Sequence, residues 1–322
     1  MDSTSGATIV TLTMNPALDI NTDAEVVGPT DKIRCGRAHY DPGGGGVNVA
    51  QVAHNLGASV SAVFPAGGAT GAAYTELLAE RGLPFRCVEI DGSMRESFTV
   101  NETSTGLQYR FVLPGPRLTY LEQQRCLVEL RAAATTASIV VASGSLPPGA
   151  PVNFYQQVAL VCRELGAKLV LDTSGGGLRH ITSGVFLLKA SVRELREFVG
   201  RELVTEDEQL DAANEIVDCG QAQAVVVSLG SEGALLATPR ESLRFRAIPM
   251  RAVSGVGAGD AMVAAIAVGL SREWTLSDSV RFGIAAGAAM MMTPGTVPCT
   301  QADVERLFEV ADEPVSVGAV CV

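Results

Sequence analysis

The sequence predicts an α/β fold with a mostly parallel sheet covered by helices on both faces. Three observations carry that prediction. Short β-branched runs alternate with helix-length amphipathic segments along most of the chain, the pattern of a parallel sheet with crossover helices. Polar and glycine residues gather just after the strand ends, where such sheets bind ligands. Two glycine-rich turns, Pro42–Gly46 and Gly255–Gly259, each open directly into a helix.

Thr8 to Met14 reads as a buried strand ending at the turn signal Asn15-Pro16. Asp19 is therefore expected just past the carboxyl end of that strand, as a ligand contact or a turn-capping carboxylate. Ala24 to Tyr40 is polar, with short strand-like pieces. Gly43 to Gly46 then open a helix running to Leu56, with Asn48 offering a donor and an acceptor in its first turn. Val60–Phe64 reads as a strand, Gly71–Arg81 as a helix and Phe85–Ile90 as a strand. The rhythm then changes: Glu96–Asn101 and Leu107–Leu113 flank a polar loop and read as a β-hairpin. Segments 24–40 and 96–113 are expected to build a small sheet, a lid inserted into one domain spanning 1–322. Arg95 precedes the hairpin, as a surface residue or as a fork for phosphate.

The alternation resumes with a helix at Tyr120–Ala133 and strand Ser138–Ala142, followed by the loop Ser143-Gly144-Ser145. Asn153–Leu165 reads as a helix. Strand Lys168–Leu171 ends at Asp172, and strand Val185–Leu188 ends at Lys189. Ser191–Val199 and Glu206–Cys219 read as helices. Strand Ala224–Val227 leads to the loop at Ser228–Gly233. Ala234–Ala237 with Leu243–Ala247 reads as a short hairpin. The second glycine turn, a helix over Leu276–Met292 and a last helix at Gln301–Val310 complete the series, and Ala311–Val322 is expected to be a loose tail. In the second turn Asp260 follows Gly257, Ala258 and Gly259 at a helix N-terminus, where free N–H groups favour negative charge. Asp260 reads either as a helix cap or as a general base beside an anion site.

Composition narrows the function. The chain has 322 residues and a net charge of −11, which argues against nucleic-acid or anionic-membrane partners. Only three lysines occur, Lys32, Lys168 and Lys189, in a chain that otherwise uses arginine. Seven scattered cysteines without a C-x-x-C pair fit a reducing cytoplasm. The start, MDSTSGATIV, has no basic stretch before an apolar core and does not read as a signal peptide. A P-loop, a dinucleotide fingerprint, a protein-kinase catalytic loop and G-x-S-x-G are all missing. Two glycine turns opening helices, with a carboxylate after the second, suit phosphoryl transfer.

Four motifs in order resemble the PfkB, or ribokinase-like, family of carbohydrate kinases: Asn15-Pro16-Ala17-Leu18-Asp19, Pro42 to Ala50, Ser143 to Gly149, and Val256-Gly257-Ala258-Gly259-Asp260. The resemblance implies a three-layer ribokinase-like sandwich with a β-sheet lid. It also implies ATP-dependent phosphorylation of a phosphosugar, with the 6-phosphofructokinase branch matching best. Gly45 stands where relatives acting on fructose 1-phosphate or tagatose 6-phosphate usually carry Lys. Kinases for those phosphosugars, and a non-catalytic phosphosugar-binding protein, are the alternatives.

In the same resemblance Asp260 is the base, and the N–H groups of Gly257, Ala258 and Gly259 form the anion hole. Asp19, Gly43, Gly44, Asn48, Arg95 and Ser145 hold fructose 6-phosphate. Lys32, Lys189, Ser191, Ser228, Gly233, Ile284 and Ala288 serve ATP. Glu194 holds Mg2+ through water, and Ser254, Val256, Thr293 and Gly295 surround a monovalent cation such as K+. A homodimer through the lid sheet is the implied assembly. Ser191 departs from the family's Asn, two residues before Arg193-Glu194, and Ala190 replaces a usual Pro. That departure predicts a weaker hold on MgATP.

Overall fold

The computed structural model describes residues 8–29, 32–251, 254–293 and 298–317. In chain order the elements are β1 (Ile9–Leu12), β2 (Ala17–Ala24), β3 (His39–Gly43), α1 (Gly45–Asn55), β4 (Val60–Ala66), α2 (Gly68–Glu80), β5 (Phe85–Glu89), β6 (Arg95–Glu102) and β7 (Gln108–Val112). Next come α3 (Tyr120–Ala133), β8 (Ile139–Ser143), α4 (Phe154–Leu165), β9 (Lys168–Asp172), α5 (Gly176–Arg179), β10 (Val185–Ser191), α6 (Val192–Val199) and α7 (Glu206–Asp218). The series ends with β11 (Ala222–Ser228), β12 (Gly233–Ala237), β13 (Ser242–Arg246), α8 (Ala258–Ser271), α9 (Leu276–Met291), α10 (Gln301–Val310) and β14 (Val315–Ser316).

Among the described residues the main sheet has the order β14-β13-β12-β11-β10-β9-β8-β1-β4-β5. It is parallel from β11 to β5 and antiparallel across β12, β13 and β14. Side chains of the parallel strands alternate between two apolar layers, as the pleat requires. Ile9, Val141, Leu187 and Val226 face one layer with α1, α8 and α9. Val10, Val140, Leu188 and Val225 face the other, with α3, α4 and α7. Both faces are covered, so the strands read as nearly continuous apolar runs.

A second sheet, β3-β2-β6-β7, stands apart from the first. Its strands differ from the expected segments. The chain leaves β1 through Asn15-Pro16 and enters β2 at once, so Asp19 lies on a lid strand and not on the main-sheet edge. In register Asp19 pairs with Asp41 and Ser97. Of the expected segment 24–40, only Ala24, His39 and Tyr40 belong to strands; the rest of its described residues connect β2 to β3. The connection instead touches β2 at single points, Gly36 N donating to the Asp23 carbonyl at 2.8 Å and Thr22 Oγ1 to the Gly36 carbonyl at 3.1 Å, without building a ladder. The hairpin of β6 and β7 forms as expected. The tail is not wholly loose, because Val315 and Ser316 add to the edge of β13.

The lid strands sort their side chains sharply. Asp19, Asn21 and Asp23 on β2, Ser97, Thr99 and Asn101 on β6, and Gln108 and Arg110 on β7 border a cleft between the two sheets. The intervening residues Ile20, Tyr40, Phe98, Val100, Tyr109 and Phe111 share the opposite face by cross-strand register, although Tyr40 and Phe98 also reach the border of the cleft.

Glycines in the first turn are there for close approach to β1. A Cβ on Gly46 would lie 2.6 Å from the Leu12 carbonyl oxygen and 2.6 Å from Thr13 Oγ1. Gly46→Ala is therefore expected to destabilise by about 1–3 kcal/mol, the range for overpacking. Thermal unfolding followed by circular dichroism should show a lowered Tm; an unchanged Tm would mean that α1 moves off β1 freely.

Candidate active site

The cleft between the main sheet's carboxyl edge and the lid has a volume of about 1030 Å³. Ser254, Gly255, Val256 and Asp260 line its floor, whereas Gly257, Ala258 and Gly259, expected to form the anion hole, lie just behind this lining. Gly257 adopts φ 78° and caps α8, so the first turn of that helix points its unpaired N–H groups outward. A Cβ on Gly257 would meet Met290 Cε at 2.9 Å, so both its backbone conformation and its surroundings call for glycine. Asp260 sits in this first turn and borders the cleft.

Asp260 is held by Asn48 from the other glycine turn, whose Nδ2 donates to Asp260 Oδ2 at 2.9 Å. The two turns, 212 positions apart in sequence, thus meet in one hydrogen bond. Burial pushes the Asp260 carboxyl up to about 7, and the neighbouring Asp172 adds to the rise. The Asn48 bond and Lys189 oppose it. A carboxylate poised near neutrality is matched to proton abstraction at physiological pH.

Behind Asp260 lies a buried ion pair. Lys189 Nζ, at the end of β10, donates to Asp172 Oδ1 of β9 at 3.2 Å. Burial opposes the charge of both groups. Asp172, Glu194 and Asp260 all favour the Lys189 ammonium, whose pKa is raised on balance despite burial. A Cβ on Gly259 would lie 3.1 Å from Lys189 Nζ, which sets that ammonium against the first turn of α8. Asp172 was recognisable in the sequence only as the residue closing a strand.

On the sugar side, Gly44, Asn48, Asp19 and Arg95 all border the cleft. Gly43 lies directly beneath the Asp19 carboxylate: a Cβ there would be 2.0 Å from Asp19 Oδ2. Burial raises the Asp19 carboxyl to about 6, against the lowering by Arg110 and Arg95. Arg95 spends three N–H groups on backbone carbonyls, with Nη2 to Asn15 at 2.7 Å, Nη1 to Leu113 at 2.9 Å and Nε to Pro16 at 3.4 Å. It therefore ties both roots of the lid together. Arg110, which sequence reasoning missed, borders the cleft with no hydrogen bond or ion pair from its guanidinium among the described residues. Ser145 sits below the lid roots, with its Oγ 3.5 Å from Asn15 Nδ2. The preceding Gly144 carbonyl accepts from Tyr155 Oη at 2.7 Å and from Thr173 Oγ1 at 2.9 Å.

The residues expected around ATP are more dispersed. Ser191 and Glu194 form a capping box for α6: Ser191 N and Oγ donate to Glu194 Oε2 at 2.8 and 2.7 Å, and Glu194 N donates to Ser191 Oγ at 3.3 Å. The S-x-x-E pattern was visible in the sequence and explains Ser191 without a ligand. Glu194 also borders the cleft. Ser228, Gly233, Ile284 and Ala288 do not border it. Gly233 has a structural reason to be glycine: at φ 114° its Cβ would lie 2.1 Å from the Phe245 carbonyl oxygen. Ile284 and Ala288 stand one turn apart on α9, which packs along α8.

Lys32 is exposed on the β2–β3 connection and does not border the cleft, so the structure does not place it with the other expected phosphate contacts. Lys168 lies over the Phe186 ring at 4.7 Å, a packing role. Of the expected cation site, Ser254 and Val256 border the cleft. The Ser254 N–H donates to the Met291 carbonyl at 3.2 Å, which brings that segment beside the end of α9. Gly295 lies outside the described residues.

The profile of the pfkB family carbohydrate kinases matches residues 12–303. The chain is 66% identical over 310 residues to the ATP-dependent 6-phosphofructokinase isozyme 2 of Mycobacterium tuberculosis, covering 96% of this chain and 91% of that one. To the isozyme 2 of Escherichia coli K12 it is 38% identical over 302 residues, covering 93% and 97%. The crystal structure of the Escherichia coli phosphofructokinase-2 with potassium superposes with a TM-score of 0.91 at 38% identity, covering 94% of this chain and 99% of that one. Structures of the same enzyme with fructose 6-phosphate and in a tetrameric inhibited form give TM-scores of 0.88 and 0.89, each at 37% identity with the same coverage. With its ribokinase-like sheets, its two glycine turns and these relatives, the chain belongs to the pfkB family of carbohydrate kinases.

Proposed function

We propose that this protein is an ATP-dependent 6-phosphofructokinase that transfers a phosphoryl group to the C1 hydroxyl of fructose 6-phosphate. The observation that carries the reading is Asp260, half-buried at the N-terminus of α8, hydrogen-bonded to Asn48 and poised near pH 7 at the floor of the cleft. Asp260 takes the proton of the acceptor hydroxyl. The N–H groups of Gly257, Ala258 and Gly259 face the charge that develops on the moving phosphoryl group. Asp19, Gly43, Gly44, Asn48 and Ser145 orient the sugar, and Lys189 lends positive charge beside the anion hole. Gly45 supports this substrate over those of the lysine-bearing relatives: a Cβ there would already lie 2.3 Å from Ser143 Oγ.

Arg110 is the better-placed partner for the sugar phosphate, because its donors are free. Arg95 has two N–H groups left after bracing the lid and supports the same phosphate. Ser228, Gly233, Ile284 and Ala288 are assigned to the nucleotide's base and ribose from the family resemblance.

Mg2+ fits the donor set through water, with Glu194 as its holder. One Glu194 oxygen is engaged in the capping box, and no cluster of three metal-ligating side chains occurs among the described residues. A magnesium ion that keeps several waters suits such a sparse site. When bound, it offsets the charge of the nucleotide phosphates. A monovalent cation beside Ser254, Val256 and Thr293, with Gly295, is the reading taken from the resemblance and from the potassium complex of the Escherichia coli enzyme.

The apolar back of the lid supports self-association. Tyr40 and Phe111 are each 52% exposed, an unusual load of aromatic surface for a sheet face in water. A homodimer that pairs two lid sheets back to back would bury it, and light scattering on the purified protein tests that assembly against a monomer or the tetramer known for the Escherichia coli enzyme. No helix among the described residues is long and apolar enough to cross a membrane, and a cytoplasmic location is our reading of the composition.

Three outcomes test the site. Asp260→Asn should cut turnover by roughly two to four powers of ten, the scale of general-base loss, and wild-type kcat/KM should rise with pH through about 7. The same substitution should stabilise the fold. The Asp260 pKa is raised on folding, so ionising it in the native state costs stability that is fully felt above about 7 and vanishes toward the unfolded value near 3.8. A Tm gain for Asp260→Asn at pH 8 that disappears near pH 4 is expected, and no pH dependence would contradict the burial argument.

Arg110→Ala should raise KM for fructose 6-phosphate about tenfold or more, as loss of charge-assisted bonds implies, with Tm unchanged. Arg95→Ala should raise the same KM and also lower Tm, because the lid roots lose their tie. Ser191→Ala should cost about 0.5–2 kcal/mol as a lost N-cap and raise KM for ATP alone, whereas Ser191→Asn keeps a capping acceptor and should leave Tm intact.

A further inference from the structure

The joint between the lid and α1 is a Gly–Gly peptide. Gly43 is the last residue of β3, paired with Ala17, and Gly44 caps α1 at φ 120°. A peptide between two glycines rotates at little steric cost. Nothing in β3 itself fixes it, since the ladder ends there. Two side chains hold this joint from behind. Tyr74 Oη, on α2, donates to the Gly43 carbonyl at 2.8 Å, and Gln51 Nε2, on α1, donates to the Pro42 carbonyl at 3.1 Å. Arg81, which caps the C-terminus of α2 two turns after Tyr74, donates to Gln51 Oε1 and to Asp41.

The direction of the held carbonyl decides where the next N–H points. A trans peptide is planar, with C=O and N–H on opposite sides. Tyr74 is fully buried, its ring edge-on to Phe64 at 5.2 Å between centroids. The Gly43 carbonyl is therefore drawn toward the core, and the Gly44 N–H is turned away from it. Gly44 borders the cleft, and the Asp19 carboxylate lies over Gly43.

We propose that Tyr74 is a positioning residue for sugar-phosphate binding: its buried hydroxyl holds the Gly43 carbonyl and so aims the Gly44 N–H into the cleft. The inference rests on the fructose 6-phosphate reading of this site. Tyr74 touches no substrate; it acts through one peptide. A phenol kept only to fill the core would serve equally well as phenylalanine, and the hydroxyl makes the difference testable.

The experiment compares Tyr74→Phe, which keeps the ring and removes the hydroxyl, with Phe64→Leu, which loosens the same packing but leaves the hydroxyl in place. Calorimetric binding of fructose 6-phosphate and steady-state kinetics with both substrates are measured for each, together with Tm. Tyr74→Phe is expected to weaken fructose 6-phosphate, in Kd and in KM, about three- to tenfold, the scale of one mis-aimed hydrogen bond. KM for ATP and turnover at saturation should hold. Phe64→Leu should lower Tm and leave the sugar-phosphate constants unchanged.

Unchanged fructose 6-phosphate binding in a folded Tyr74→Phe would overturn the proposal, as would an equal loss in Phe64→Leu. A wild-type protein that binds no fructose 6-phosphate would overturn the substrate reading and this inference with it. Wild-type binding with an indifferent Tyr74→Phe would overturn the inference alone.

Discussion

The bond from Asn48 to Asp260 is the constraint on which the rest of the site depends. It joins the first turns of α1 and α8, two helices that pack side by side under the same face of the sheet. Each helix is fixed at its N-terminus by glycines that let it approach a strand end or a neighbouring side chain closely. Because the helices cannot shift independently, the two glycine turns hold one spacing. Asp260 is half-buried by this arrangement, and the loss of solvent around it raises its carboxyl toward neutrality. The contact thus supplies alignment and holds the carboxyl's rise in check, while desolvation and the neighbouring Asp172 supply the rise itself.

The lid is built as a sheet with two different solvents in mind. Its cleft face carries Asp19, Asn21, Ser97, Thr99 and Arg110, while its back carries Ile20, Phe98, Tyr109 and Phe111. A free-standing four-stranded sheet with one apolar face is poorly stabilised alone. What anchors it to the main body is polar: Arg95 gathers the carbonyls of Asn15, Pro16 and Leu113, and Asn15 Nδ2 adds a bond to Pro114. Both lid roots therefore converge on one guanidinium beside the phosphate side of the cleft.

The parts of this site legible in the sequence are those that local pattern encodes. Gly257 to Asp260 and Gly43 to Asn48 each announce a turn and a helix start within a few residues, and both sit where expected. Asp172 and Lys189 were visible only as strand ends, because their meeting depends on β9 and β10 being parallel neighbours in a particular register. Asp19 was expected in a turn just past β1 and lies instead on a lid strand, since nothing local distinguishes a turn after β1 from a direct entry into that strand. Arg110 was hidden for the opposite reason. On a hairpin that alternates polar and apolar residues, an arginine between Tyr109 and Phe111 looks like the ordinary solvent face until the cross-strand register shows that it shares a face with Asp19. The capping box at Ser191 and Glu194 was fully encoded locally, yet the comparison with a family Asn drew attention to a missing amide and away from the helix start.

The charge around the cleft sets a further requirement. Asp19, Asp23, Asp41, Asp172, Glu194 and Asp260 border it, against the guanidinium groups of Arg95 and Arg110, and the Lys189 ammonium is already committed to Asp172. Two phosphorylated substrates brought into such a lining would meet more negative than positive charge. Arg95 and Arg110 stand at the lid end together with Asp19, Asp23 and Asp41, the last paired with Arg81, while Asp172 and Glu194 stand nearer Asp260. Acids border the cleft at both ends, so positive charge that arrives with a phosphorylated ligand would ease its entry. Asp172 and Glu194 favour the charged form of Lys189, which lies against the first turn of α8, and they add to the negative lining that a cation-bearing ligand would offset.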